Sequence, residues 1–250
     1  MSALFADLSA LQILVMALGL GMASLARGYS GFGFSALLVA SWSLVGAPSQ
    51  AVAVTLVLEV VASIVQAASV WRDVPWKRVG SLLVGAVIGV PVGVLFLANV
   101  APNGIRVGLA IFVLVAAGLM LAGWKRQRRS GPAGVAAVGV VSGIANGAVG
   151  MGGLPVALFL TAEGDSPRAI RAAAIAYFFL LDSGSFALLS AQGLVAAPTL
   201  GLAAASFPIL LLGMWIGGKH FHVTTPETFR RITLCLLVLL AVLVLLRALA

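Results

Sequence analysis

Arg27, Glu59, Asn146 and Asp182 each stand inside a run of apolar residues, where nothing nearby in the chain would solvate them. In a bilayer a lone arginine is unfavourable by about 3 kcal/mol even on the lenient insertion scale, so Arg27 needs a partner. One chemistry open to it is anion binding, because a planar guanidinium presents paired N–H donors to two oxygens of an oxyanion. The other is a structural pair with an intramembrane acid, or a place near water. Asn146 offers a neutral donor for the same anion, or a cap for the backbone that follows it. Glu59 and Asp182 would repel an anion unless protonated, which makes them natural places to couple proton and anion movement. Their competing roles are an ion pair with Arg27 and protonated hydrogen bonding between helices. Tyr177 and Thr55 can reach the same cavity, but aromatic or hydroxyl packing is the expected role of both.

Two glycine-rich stretches adjoin these residues: "RGYSGFGFS" after Ala26 and "NGAVGMGGLP" after Ala145. Glycine and proline are poor helix formers, and backbone groups freed by a helix break cannot stay unpaired in hydrocarbon. Broken backbone is tolerated where it lines a cavity. Ser30 with the backbone of Gly28, Gly31 and Gly33, and on the other side Gly147, Gly150, Gly152 and Gly153, would then form an oxyanion cradle from successive N–H groups and the positive end of the following helix. The alternative is close helix packing, for which small residues are the ordinary choice in membranes. Packing is the expected role of Gly89, Gly93, Gly213 and Gly217, spaced by four on uninterrupted helices.

The elements that must hold these groups are membrane helices. The chain of 250 residues is 62% hydrophobic and 9% charged, far below the quarter that a water-soluble domain carries, so an all-α polytopic membrane protein is expected. Its net charge of +8 does not point to nucleic acid, because the basic residues cluster in short loops such as "WRDVPWKR", "WKRQRRS" and "FRR" between apolar runs. The single cysteine, Cys235, excludes a disulfide framework and is expected as a packed thiol. The N-terminal residues carry Asp7 and no basic region, so the first apolar run reads as part of the mature protein. Ordinary spans are expected at Pro48–Val70, Val79–Ala98, Ile105–Trp124, Pro167–Ala191, Pro198–Gly218 and Phe229–Leu249. Leu8–Ala47 and Pro132–Ala162 are apolar but interrupted. At 1.5 Å per residue the roughly 30 residues of the second are too few for two crossings and a turn, so each is expected to be a re-entrant hairpin of shortened helices.

An offset of 119 residues lays Gly28, Gly31, Gly33 and Pro48 on Gly147, Gly150, Gly152 and Pro167. Further along, an offset of 124 lays Gly89, Gly93, Pro102 and Arg106 on Gly213, Gly217, Pro226 and Arg230. The chain therefore reads as a duplication: a first repeat over 1–124, a basic cytoplasmic linker over 125–131 and a second repeat over 132–250. Arg72, Lys77 and Arg78 place their loop inside, "ANVAPNGI" is uncharged and outside, and Lys125, Arg126, Arg128 and Arg129 are inside again. In the second repeat "SAQGLVAAP" is outside and "GKHFHVTTPETFRR" inside. Equivalent loops thus face opposite sides, so the repeats are inverted, each hairpin enters and leaves on one face, and both termini lie outside. Inverted repeats with broken helices meeting near the midplane are the architecture of alternating-access transporters.

The stretch "GVVSGIANGAVGMGGLPVALFL", with its proline-started following helix, the "WRDVPWKR" loop and the "GAVIGVPVG" and "GMWIGG" helices, resembles the sulfite exporter TauE/SafE family over nearly the whole chain. The resemblance implies export or exchange of a small sulfur oxyanion or organosulfonate across a bacterial inner membrane, with no cofactor and no metal. The first-repeat copy departs from the pattern, with Phe34, Ser35 and Ala36 where the second has Gly153, Leu154 and Pro155, so the two tips need not bind alike. Two other classes stand beside this one. A passive anion channel or a non-transporting assembly factor would show flux insensitive to a proton gradient, or none. "GYSG" also resembles the nucleophile motif of rhomboid proteases, but the only histidines, His220 and His222, fall in a loop expected inside, far from Ser30. No HExxH or Walker A sequence is present, so neither a zincin nor a primary pump is expected.

Overall fold

The computed structural model describes residues 9–123, 129–220 and 226–249. Asp7, Trp124, Lys125, Arg126, Arg128 and His222 lie outside the described residues, as do the side chains of His220, Phe229 and Arg230. Among the described residues the chain is all helical: α1 Ala10–Ser30, α2 Phe34–Ser43, α3 Pro48–Val70, α4 Trp76–Asn99, α5 Pro102–Leu121, α6 Pro132–Val149, α7 Gly153–Ala162, α8 Pro167–Ala191, α9 Ala197–His220 and α10 Pro226–Leu249. Eight of these are long and apolar enough to cross a membrane. The protein is an integral membrane protein. Proline begins α3, α5, α6, α8 and α10, where its fixed φ suits a first turn and its missing N–H would have had no helical partner.

All six expected spans are present, within a few residues at each end. The interrupted stretches break where the glycines are, and unevenly. α1 runs for 21 residues and α6 for 18, both long enough to count among the eight, whereas α2 and α7 have ten residues each. Ten residues rise about 15 Å, half of a hydrocarbon core. Each stretch is therefore one long arm and one half-length arm rather than two shortened arms. The helix can continue past Arg27 because that charge finds partners inside the protein. Gly31 and Gly150 end the long arms at φ of 78° and 67°, a left-handed turn that a side chain would strain.

The bases of the two half-length arms lie at opposite ends of α4. At one end, Gln12 Nε2 donates to the Val45 carbonyl at 3.0 Å, and Arg106 of α5 donates to the carbonyls of Ser43 (3.1 Å) and Gly46 (3.0 Å). At the other, Arg78 pairs with Glu163 and Asp165, the Ser130 N–H donates to Glu163 Oε1 at 2.7 Å, and Arg168 Nε lies 2.8 Å from Asp73 Oδ2. Each base thus sits beside the start of its own long arm.

Helix pairing follows the small residues. α4 lies against α6, and α9 against α1. A Cβ on Gly89 would stand 2.8 Å from the Ile144 nitrogen and 3.1 Å from Gly143 Cα; one on Gly147 would stand 2.7 Å from the Val94 nitrogen. Gly28 meets Met214 and Gly217 meets Tyr29 in the same way, at 2.7 Å and 3.0 Å. Without side chains the backbones approach closely, which is how helices gain van der Waals contact where there is no hydrophobic drive between them. α3 packs on α8 and α5 on α10. Cys235, expected as a packed thiol, is exposed on α10. An apolar run in lipid need not face the protein interior.

Candidate functional site

Four of the residues singled out by type converge where α3 and α8 cross the tips. Arg27, in the last turn of α1, is 0% exposed. Its Nη1 donates to the Gly31 carbonyl at 2.6 Å and pairs with Glu59 Oε2 at 3.0 Å, its Nη2 donates to Ser63 Oγ at 2.6 Å, and its guanidinium lies 5.4 Å from the centre of the Phe178 ring. Ser35, in the first turn of α2, turns its N–H and hydroxyl toward the Glu59 carboxylate. A carboxylate therefore already sits where an arginine and a helix N-terminus favour an anion. Arg27 Nε has no hydrogen-bond partner among the described residues, which leaves one buried donor over.

The second tip is built on amides. Asn146 Nδ2 donates to Asp182 Oδ1 at 2.9 Å and to Ser185 Oγ at 3.0 Å, while its Oδ1 accepts from the Gly152 N–H at 3.2 Å. Ser142 Oγ donates to the Gly152 carbonyl at 2.6 Å, and the Tyr177 hydroxyl donates to Ser142 Oγ at 2.9 Å. All of these side chains are buried. The ring of Phe178 joins the two centres, touching Arg27 on one side and standing 2.9 Å from a Cβ built on Gly153 on the other.

The other sequence candidates fall as follows. Gly28 and Gly147 face neighbouring helices. Gly31 and Gly33, at φ 78° and 86°, make the first turn, and Gly150 and Gly152 with Gly153 make the second. The Ser30 hydroxyl lies 2.9 Å from the Ala26 carbonyl and 2.8 Å from the Phe32 carbonyl, and so braces the first tip. Thr55 donates back to the Ala51 carbonyl at 2.7 Å within its own helix.

Residue type alone missed several members. Glu59, Ser63 and Gln66 share one face of α3 by helical spacing, and Asp182 and Ser185 one face of α8; that polar stripe was readable. Arg171 was also passed over. Its Cγ lies 2.9 Å from the point where a Cβ on Gly31 would stand, and its charge acts on Arg27. Two cations, Arg27 and Arg171, therefore share the region with two acids, Glu59 and Asp182, whose charges also act on one another. Among the described residues no cluster of histidine, cysteine and acids could hold a metal.

Residues 15–244 match the family described as Sulfite exporter TauE/SafE. No curated protein and no solved structure matches the chain.

Proposed function

The chain belongs to the sulfite exporter TauE/SafE family, a family of membrane transporters, and on that premise we propose that it is a secondary transporter of a small oxyanion such as sulfite or an organosulfonate. One observation carries the site assignment. The fully buried Arg27, with Ser35 at the start of α2, already holds an anion, the carboxylate of Glu59, and keeps one guanidinium N–H in reserve. An incoming oxyanion has the same needs as that carboxylate and displaces it, and the displaced Glu59 takes up a proton. With both acids ionised the two arginines are balanced; protonating one leaves a net positive charge for the anion. Asp182, held by Asn146, is the second proton site of this reading. Substrate binding falls first to Arg27 and the first-tip backbone around Gly31 and Gly33, which Ser30 braces; Asn146 and the second-tip backbone around Gly150, Gly152 and Gly153 would join only by giving up their present partners, and Gly28 and Gly147 set the helix contacts beside the site.

The two halves act as inverted repeats, each a re-entrant arm pair plus three spans, around a midplane site. This is supported by the half-length arms having their bases at opposite ends of α4 and by the reciprocal packing of α4 on α6 and α9 on α1. The end carrying Arg72, Lys77 and Arg78 is cytoplasmic, the membrane is the bacterial inner membrane, and both termini lie outside. A C-terminal reporter active only in the cytoplasm should then be silent.

The test is sulfite flux into proteoliposomes, with sulfoacetate, sulfate and chloride as competitors and with or without a pH gradient. The reading requires flux above empty liposomes, accelerated by the gradient, blocked by sulfoacetate and not by chloride. Arg27→Gln should abolish it, and Asp182→Asn should leave flux that no longer answers to the gradient. Gradient-insensitive flux in the unaltered protein would instead mean a passive channel, and no flux of any of these anions would remove transport of this class.

A further inference from the structure

At the end of the molecule that carries Arg72, Lys77 and Arg78, a cavity of about 360 Å³ opens between α3 and α8. That volume is in the range of sites for small apolar ligands, about 300–1,000 Å³. Its walls are Ile64, Ala67, Ile175, Ala176 and Phe179, and Trp71 and Trp76 frame its mouth, their ring centres 4.9 Å apart in an edge-to-face pair. Ile64, Trp71 and Trp76 are themselves exposed, so the cavity opens toward the bilayer. Its polar boundary is Ser63, whose hydroxyl accepts from Arg27. An anion entering this cavity would lose its hydration and gain almost nothing in return. A hydrocarbon chain is matched along its whole length.

The rim supplies a headgroup site. Arg72 follows Trp71 and Lys77 follows Trp76; both basic side chains are exposed and neither has an ion-pair partner among the described residues. Paired tryptophans at a membrane interface hold headgroup depth, and adjacent Lys and Arg attract anionic lipid. We propose that this cavity is a binding site for one acyl chain of an anionic phospholipid, with its phosphate held by Arg72 and Lys77. The chain would wedge between the two helices that carry Glu59, Ser63 and Asp182, which ties lipid occupancy to the spacing of the buried charged groups.

The experiment is native mass spectrometry of the delipidated protein titrated with phosphatidylglycerol and with phosphatidylcholine, both of defined acyl chains. One tight site should appear, favouring phosphatidylglycerol by about twenty-five-fold, since two basic groups each contribute about a factor of five. Arg72→Gln with Lys77→Gln should remove that preference, weakening phosphatidylglycerol far more than phosphatidylcholine, whose choline already offsets its phosphate. Ala176→Phe, which fills the cavity, should weaken both lipids at least tenfold, and Ala67→Leu, a milder filling, should weaken both to a lesser degree and guards against misfolding of the first. Equal affinity for the two lipids, or binding unchanged by both filling variants, overturns the proposal. So does occupation of this face by a second copy of the chain, seen as a dimer lost in Ala176→Phe. Lipid binding is read without flux, so its failure and the failure of the transport reading are separable.

Discussion

The two tips occupy matching places in the chain and solve the same problem with different charges. At the offset of 119, Arg27 corresponds to Asn146 and Ser63 to Asp182. Each tip residue donates to its partner on the following long helix, at 2.6 Å in the first half of the chain and 2.9 Å in the second. In the first the cation is on the tip and the hydroxyl on the long helix; in the second the amide is on the tip and the acid on the long helix. Phe178 corresponds to Glu59 and lies across the guanidinium that Glu59 pairs with. One geometry thus serves as a charged anion holder on one side and a neutral amide clamp on the other. The second tip closes its own donors: Asn146 takes the Gly152 N–H, and Pro155 has none to give. The first tip uses Ser35 and the guanidinium to hold the carboxylate of Glu59.

Variants separate these two solutions. Arg27→Gln removes one partner of a buried pair and should destabilise by about 3–5 kcal/mol, read as a lowered midpoint of thermal unfolding in detergent. Adding Glu59→Gln should recover most of that loss, because the uncompensated charge is gone; no recovery would mean that Arg27 acts mainly through Ser63 and Gly31. Asn146→Ala leaves Asp182, Ser185 and the Gly152 N–H each short of a partner and should lose about 1.5–3 kcal/mol by the same measurement. If its loss equals that of Arg27→Gln, the contrast between a charged and a neutral tip is wrong. Gly89→Ala pushes α4 off α6 and should lose about 1–3 kcal/mol, whereas Gly21→Ala, which meets nothing within 4 Å, should be neutral or gain up to about 1 kcal/mol. Tyr177→Phe removes one hydroxyl from the second tip and should lose about 1 kcal/mol, with flux and its response to the pH gradient retained.

Much of the fold is legible because lipid makes composition and spacing decisive. Apolar runs of span length, proline at helix starts and glycine at helix breaks each express a local backbone rule. The site is less legible. Arg27, Glu59, Asn146 and Asp182 stood out because each is unfavourable in lipid without a partner, but which acid meets which donor is a matter of two helices crossing. Arg171 was invisible for that reason: near the start of a proline-led helix it reads as an end-of-span charge, until α8 is placed against Gly31.

What the sequence by itself determined is the membrane class, the places where helices begin and break, and the identity of the intramembrane polar groups, since these depend on hydrophobicity and backbone freedom within a few residues. Only the tertiary structure decided that Glu59 rather than Asp182 pairs with Arg27, and that Gly28 and Gly147 pack helices while Gly31 and Gly150 turn the tips. It also decided that α3 and α8 leave a cavity between them. Those outcomes depend on distances between segments far apart in the chain, and Coulomb attraction and close packing act over a few ångströms of space, whatever the separation in sequence.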